Sequence, residues 1–489
     1  MNRPIVRIYV IVLLLFASLV YFTSKWAVFD AEELEGKTAN RRPLIEAQQI
    51  PRGDIVTADG VLVAESLPEG GGKRPVYVRR YPEGALFGHP VGFSFVDVGN
   101  SEIELSENDL LTGEENEFAT LIDQLRNTQP EGADITLTLD SEAQRTATDL
   151  LEAAVTDPEH PGAALVAIEP ATGAVKAMVS VPGYDPNEIQ NPQALEQLNA
   201  DEVRAPLVNR PTQSIYPPGS TMKVVTAAAA LDSGEFEPDT VLNADSPKEI
   251  SGIPLANSGG ASFGDIDMTT ALTNSVNTYW AQVGEQLGTE TMVEYMERFG
   301  FYSVPELDYP PGAMEESGVY SGGELVKSDF DVGRVAIGQG GEEGQALATA
   351  MQMAEVAATV ANGGTLMKPT FLQQAKDPDG RVLEELGDGD EQNEVISQET
   401  AAQLTEMMTN VTEEGTASNL SVDGVSFAGK TGTAEIDVEA SINQPWFITF
   451  APADDPQIAV AVTVERCTGC FGGEVAGPIA TQVMEGLLD

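Results

Sequence analysis

Five strand patterns, two before and three after a long helical stretch, constrain this fold more than any other feature. Ile135-Thr-Leu-Thr-Leu139 alternates like a strand. Asp140-Ser141-Glu142 then predicts a helix N-cap, with apolar spacing through Val155. Ala163 to Ile168 and Ala174 to Val181, joined at Thr172-Gly173, predict a hairpin. Helical patterns dominate from Met222 to about Gly300 and from Ala346 to Val360. Three more strands follow at Val425 to Ala434, Trp446 to Ala451 and Ile458 to Glu465, and a last helix covers Pro478 to Leu488. Strands that come in blocks rather than alternating with helices predict an α+β fold: an antiparallel five-stranded sheet sandwiched by helices inserted in its middle. The acidic stretch Asp377 to Glu394 is expected to be an exposed loop.

The part before this pattern reads differently. Ile8 to Phe22 is almost wholly apolar, and the trend resumes at Trp26, Val28 and Phe29 after Lys25, whose long side chain can snorkel. About 20 such residues span a bilayer. Arg3 and Arg7 ahead of the run keep the N-terminus inside. No small-x-small cleavage site follows, which favours an uncleaved signal anchor over a cleaved signal peptide. The expected layout is a cytoplasmic tail (1–7), a single transmembrane anchor (8–29), a smaller β-rich pedestal read as non-catalytic (30–138) and the main α+β domain outside the cytoplasmic membrane (139–489). In the pedestal, Ile55-Val56 and Val61-Leu62-Val63 flank the turn Asp59-Gly60, Gly70-Gly71-Gly72 marks a loop, and Glu102 to Glu117 is acidic.

Composition removes several function classes. Twenty-six basic residues against 77 acidic ones give a net charge of −51. That excludes nucleic-acid binding through a basic surface, and it points to a strongly hydrated exterior. The only histidines are His89 and His160, neither in a suggestive context, so a nucleophile here must use another base. The only cysteines, Cys467 and Cys470 in Cys-Thr-Gly-Cys, are too few for a structural zinc site. They read as a local disulfide if the domain is exported, or as two free thiols.

Three motifs carry chemistry. In Pro217-Pro-Gly-Ser220-Thr-Met-Lys223, followed by an alanine-rich run, Ser220 falls at a helix N-terminus and Lys223 shares its face one turn on. Burial or a neighbouring cation can make such a lysine a base for the hydroxyl. Taken alone, the pair also describes a capping serine beside a solvated lysine. Ser275-Val276-Asn277 lies between helical pieces and alone could be a polar turn. Lys430-Thr431-Gly432-Thr433 sits in a strand pattern, where the glycine marks close approach of a ligand or another backbone. The lysine and two hydroxyls suit a carboxylate.

In this order, and on these elements, the three motifs resemble those of the penicillin-recognising serine acyltransferases, the penicillin-binding proteins and serine β-lactamases. Arg52-Gly-Asp-Ile55 with Asp59-Gly60, Leu137-Thr-Leu-Asp140, Tyr184-Asp-Pro-Asn187, Asn209-Arg210, Gly338-Gln-Gly340 and Glu414-Gly-Thr-Ala417 extend the resemblance to class B penicillin-binding proteins over roughly residues 35–489. Val276 stands where class A β-lactamases have aspartate, which tilts against that class.

The resemblance implies a peptidoglycan D,D-transpeptidase. Ser220 would form the acyl-enzyme, with Lys223, Ser275, Asn277 and Lys430 as catalytic partners. Backbone N–H groups of Ser220 and Thr433 would form the oxyanion hole. Thr431, Gly432 and Thr433 would bind substrate. The implied ligands are stem peptides, the lipid-linked precursor and β-lactams. A SEDS-family glycan polymerase and division proteins are the implied partners, and no metal or cofactor is needed. A D,D-carboxypeptidase would use the same residues with water as acceptor. A non-enzymatic β-lactam sensor or division scaffold is the remaining alternative.

Overall fold

In a computed structural model of the chain, residues 2–25, 49–70, 75–113, 131–155, 162–341 and 343–488 are described. Trp26, Val28, Phe29, Gly71, Gly72, Glu114 to Glu117 and His160 lie outside them, and with them the far end of the expected anchor and parts of the expected pedestal.

The C-terminal part of the chain follows the block pattern. Helix α1 (Ser141–Ala154) begins where the sequence predicts: the Asp140 carboxylate accepts from the N–H groups of Glu142 and Ala143. Strands β1 (Ala163–Ile168) and β2 (Val175–Val181) form the hairpin. Helices α2 (Lys223–Asp232), α3 (Met268–Thr273), α4 (Asn277–Arg298), α5 (Ala350–Ala361) and α6 (Gln398–Glu413) follow. Strands β3 (Ala428–Asp437), β4 (Ile442–Ala451) and β5 (Ile458–Val464) and helix α7 (Ala476–Leu487) complete it. The sheet order is β3-β4-β5-β1-β2, antiparallel throughout, with a two-residue strand at Cys467–Thr468 added to β4.

Every residue of β1 and β5 is buried. The reason is cover on both faces, by α1 and α7 on one and by α5 on the other, while α6 packs on β3. Each fully buried Val, Leu or Ile in these strands contributes roughly 1.5–3 kcal/mol.

Three expectations need correction. The helical stretch from Met222 is broken between Asp232 and Met268 by short ribbons, among them Lys248–Ile250 paired with Ile253–Leu255. Residues Gly344–Leu347 are a strand, and the helix beyond begins only at Ala350, where the Thr349 side chain accepts from Gln352 N. The expected loop Asp377 to Glu394 contains two strands. Val382–Glu385 pairs with Leu372–Lys376, and Glu391–Glu394 pairs with Thr365–Met367. Their side chains are mostly exposed, so backbone pairing rather than apolar burial makes them strands, and no hydrophobic period announces them.

The pair Val382–Glu385 and Leu372–Lys376 also joins the two halves of the molecule. A second sheet runs Val382–Glu385, Leu372–Lys376, Asp134–Leu137, Ile55–Val56, Leu62–Glu69, Val76–Arg80. Its first two strands come from far along the chain, and its only parallel pairing is between Ile55–Val56 and Asp134–Leu137. The rest of the described N-terminal module holds short helices such as Glu102–Ser106 and Asn108–Thr112.

A buried ion network anchors this module. Glu104 is fully buried. Arg79 Nε donates to its Oε1 at 2.6 Å, Arg52 Nε to its Oε2 at 3.0 Å, and Tyr81 OH to its Oε1 at 3.1 Å. Polar contacts then tie the module to the sheet domain: Asn187 Nδ2 donates to Tyr81 O (2.8 Å) and Tyr309 OH to Pro90 O (2.7 Å).

At the N-terminus, Asn2–Ser24 form one helix of 23 residues. Its side chains are described only for residues 7–21, all exposed. Among the described residues no helix is long and apolar enough to cross a membrane.

Candidate active site

Ser220 lies on a 3₁₀ turn, Gly219–Met222, that runs into α2. Two close backbone approaches shape this turn. Gly219 has φ +54°, and its N–H donates to Gly338 O at 3.0 Å. A Cβ on Gly338, itself at φ +71°, would sit 2.0 Å from Gly219 O. On the other side, a Cβ on Gly432 would sit 2.8 Å from Pro218 O and 2.9 Å from Trp446 Cβ. The strand glycine that the sequence flags therefore marks the approach of the nucleophile's own loop. Trp446, fully buried, fastens that loop by donating from Nε1 to Pro217 O at 2.9 Å.

Lys223 is fully buried. Its Nζ lies 3.0 Å from Ser220 Oγ, 2.7 Å from Asn277 Oδ1, 2.8 Å from Ser275 O and 3.3 Å from Ser275 Oγ. The Asn277 amide is oriented by its Nδ2, which donates to Ala256 O at 3.3 Å. A neutral amine has two N–H donors and one lone pair. With Asn277 Oδ1 and Ser275 O taking two donors, such an amine would keep its lone pair for the Ser220 hydroxyl. Burial, and then the positive charge of Lys430, hold the Lys223 pKa well below the usual amine value. The lowered pKa makes Lys223 a candidate base in a site that holds no histidine.

Lys430, on β3, is also fully buried, and burial brings its pKa down to about 7. Its Nζ donates to Ser275 Oγ at 2.9 Å and to Thr431 O at 3.1 Å. Ser275 bridges the two amines from a left-handed backbone (φ +55°) between α3 and α4. Such a conformation is costly for a non-glycine residue and persists where surrounding structure enforces it. Here Ser275 N bonds Leu272 O at 3.1 Å, and Val276 N bonds Ala271 O at 2.9 Å.

The substrate-side strand is equally held. Thr431 Oγ1 lies 2.6 Å from Thr416 Oγ1. Thr433 Oγ1 accepts from Gly472 N at 3.2 Å, so its own proton stays free to donate. Gly472 follows the Cys467–Cys470 pair, which is joined as a disulfide. The structure brings the eight residues singled out by sequence together. Ser220, Lys223, Ser275, Asn277 and Lys430 form one connected chain, and Thr431, Gly432 and Thr433 continue along the strand beside it. The sequence reading did not single out Gln345 or Glu435, which line an adjoining cavity together with Gln339 of the Gly338-Gln-Gly340 motif. Only the position of Glu435, two residues past Thr433 on an alternating strand, could have signalled it.

A serine held against a buried lysine whose pKa is lowered, with a second amine one hydrogen-bond step further on, defines an active-serine acyl-transfer centre. Residues 163–485 match the penicillin binding protein transpeptidase domain, and residues 52–135 match the penicillin binding protein A dimerisation domain. The chain belongs to the penicillin-binding protein transpeptidase family. It is 34% identical to the peptidoglycan D,D-transpeptidase PbpA of Mycobacterium tuberculosis, covering 100% of this chain and 99% of that protein. It is 32% identical to the PbpA of Mycolicibacterium smegmatis, covering 98% and 97%. Among solved structures, the ceftriaxone acyl-enzyme complex of penicillin-binding protein A from M. tuberculosis aligns over 91% of this chain and 100% of that one. The TM-score there is 0.79 at 31% identity.

Proposed function

We infer that this chain is a peptidoglycan D,D-transpeptidase that β-lactams acylate. The observation that carries the reading is the unbroken chain Ser220–Lys223–Ser275–Lys430 inside a family whose relatives bear that name. Ser220 attacks the carbonyl between two D-alanines, and its proton passes to Lys223. Backbone N–H groups of Ser220 and Thr433 stabilise the oxyanion. The terminal D-alanine leaves with a proton delivered through Ser275 and Lys430. Lys430, Thr431 and Thr433 receive the terminal carboxylate, Gly432 lets the strand close on the nucleophile loop, and Asn277 holds Lys223. The amine of a second stem peptide then attacks the acyl-enzyme and closes a 4→3 crosslink. β-Lactams mimic the D-alanyl-D-alanine end and stop at the acyl stage.

On the same reading residues 8–29 anchor the chain in the cytoplasmic membrane, with residues 30–138 as pedestal and 139–489 as the catalytic domain outside it. The exposed apolar side chains from Ile8 to Tyr21 support this, since such a stripe is stable in lipid rather than water. The anchor and pedestal would dock a SEDS-family glycan polymerase and division proteins.

The test is product analysis on the lipid-linked precursor polymerised in place. A crosslinked dimer with release of one D-alanine is expected. Trimmed tetrapeptide alone would make the protein a carboxypeptidase.

The two amines also set a pH profile. Acylation needs Lys223 neutral and Lys430 charged. The second-order rate constant for a fluorescent penicillin should rise with pH as Lys223 loses its proton, then fall above about pH 7 as Lys430 does. A rate that keeps rising through pH 9 would contradict a cationic role for Lys430.

A further inference from the structure

Beyond the reacting atoms, β3 is the outer strand of its sheet, paired only with β4. Its free edge runs past Thr433 into a cavity of about 230 Å³ lined by Pro217, Gln339, Gly340, Gln345, Glu435 and Ile436. Pro217 is three residues from the nucleophile, so the cavity adjoins the reaction centre. Glu435 is the single ionisable side chain in this lining. It is exposed, and it makes no hydrogen bond or ion pair with any described residue. A carboxylate left without a partner inside an otherwise uncharged, polar cleft is matched by a cation on the ligand.

We propose that Glu435 is a specificity-determining residue: its carboxylate receives the side-chain ammonium of the diamino acid that precedes D-alanyl-D-alanine in the donor stem peptide. The inference rests on the transpeptidase reading. With the scissile D-alanine beside Thr433, an extended donor running antiparallel to β3 places its preceding residue one step of about 3.4 Å along, opposite Ala434. From there a side chain of four or five atoms reaches the Glu435 carboxylate. Gln339 and Gln345 line the same space with amide groups that can take the peptide's remaining polar atoms.

The experiment uses the full chain and a matched pair of penicillins, one with a 6-aminohexanoyl side chain and one with the same chain N-acetylated. Second-order acylation constants are measured at low salt for the natural protein, Glu435→Gln and Glu435→Lys. An exposed ion pair is worth about 0.2–1 kcal/mol, so the natural protein should favour the amine by about 1.4- to fivefold. The ratio should fall to about one in Glu435→Gln, invert in Glu435→Lys, and shrink in the natural protein as salt is added. A ratio of one in the natural protein, or a preference that persists in Glu435→Gln, overturns the assignment of Glu435 while leaving acylation of Ser220 intact. If neither penicillin acylates the natural protein, the transpeptidase reading fails, and this inference fails with it.

Discussion

A Ser220→Ala variant takes up no covalent penicillin, and Lys223→Ala takes it up about 10²–10⁴-fold more slowly at neutral pH; gel fluorescence and stopped-flow rates with a labelled penicillin measure both. The two losses have different causes. Alanine at 220 removes the atom that forms the acyl bond. The Ser220 hydroxyl meets Lys223 Nζ at 3.0 Å, a contact at the site itself, so the fold should survive its removal. Alanine at 223 removes the proton acceptor and also strands Asn277 Oδ1 and Ser275 O, each bonded to that amine. An unsatisfied buried acceptor costs about 1–3 kcal/mol, so the thermal midpoint of this variant falls as well. Lys223→Arg separates the two roles. A guanidinium can donate to those oxygens but does not give up its proton, so the variant should stay as slow as alanine. An arginine variant that acylates at the natural rate would show that Lys223 is not the base.

Glu104→Ala should destabilise the N-terminal module by about 3–5 kcal/mol, because it breaks a buried ion pair from one side only. Arg79 would keep Gly53 O at 2.8 Å and Ser66 Oγ at 3.2 Å, but no counter-charge at Nε, and its Nη2 already lacks a partner among the described residues. Burial alone would raise the Glu104 pKa. The charges of Arg79 and Arg52, with hydrogen bonds from Arg79 and Tyr81, override it and hold the carboxyl below its ordinary 4.5. A lowered carboxyl pKa stabilises the fold above the unfolded value and stops doing so as pH falls through the folded one. The natural protein should therefore lose this contribution below about pH 4.5, whereas Glu104→Ala should show a smaller acid dependence. Urea titrations at pH 7 and pH 4 check both; a cost under 1 kcal/mol at pH 7 would contradict the network's role.

How far the sequence reached follows from which signals are local. The Asp140 cap, the β1–β2 hairpin, the alanine-rich helix after Ser220 and the strand bearing Lys430 were all legible, because caps, turns and periods depend on residues a few positions apart. The pairing of Leu372–Lys376 with Asp134–Leu137 was not, since a ladder of backbone bonds can join any two strands and their side chains carry no record of the partner. The eight site residues could be named from order and resemblance, but their chemistry could not. A lysine becomes a base only when burial or a neighbouring cation depresses its pKa. Here Lys223 belongs to α2 and Lys430 to β3, 207 positions further on, and Ser275 joins them from a left-handed turn. Burial and charge coupling are sums over the whole folded molecule, so the tertiary structure alone decided them, as it decided that Glu435 shares a cavity with Pro217, Gln339 and Gln345.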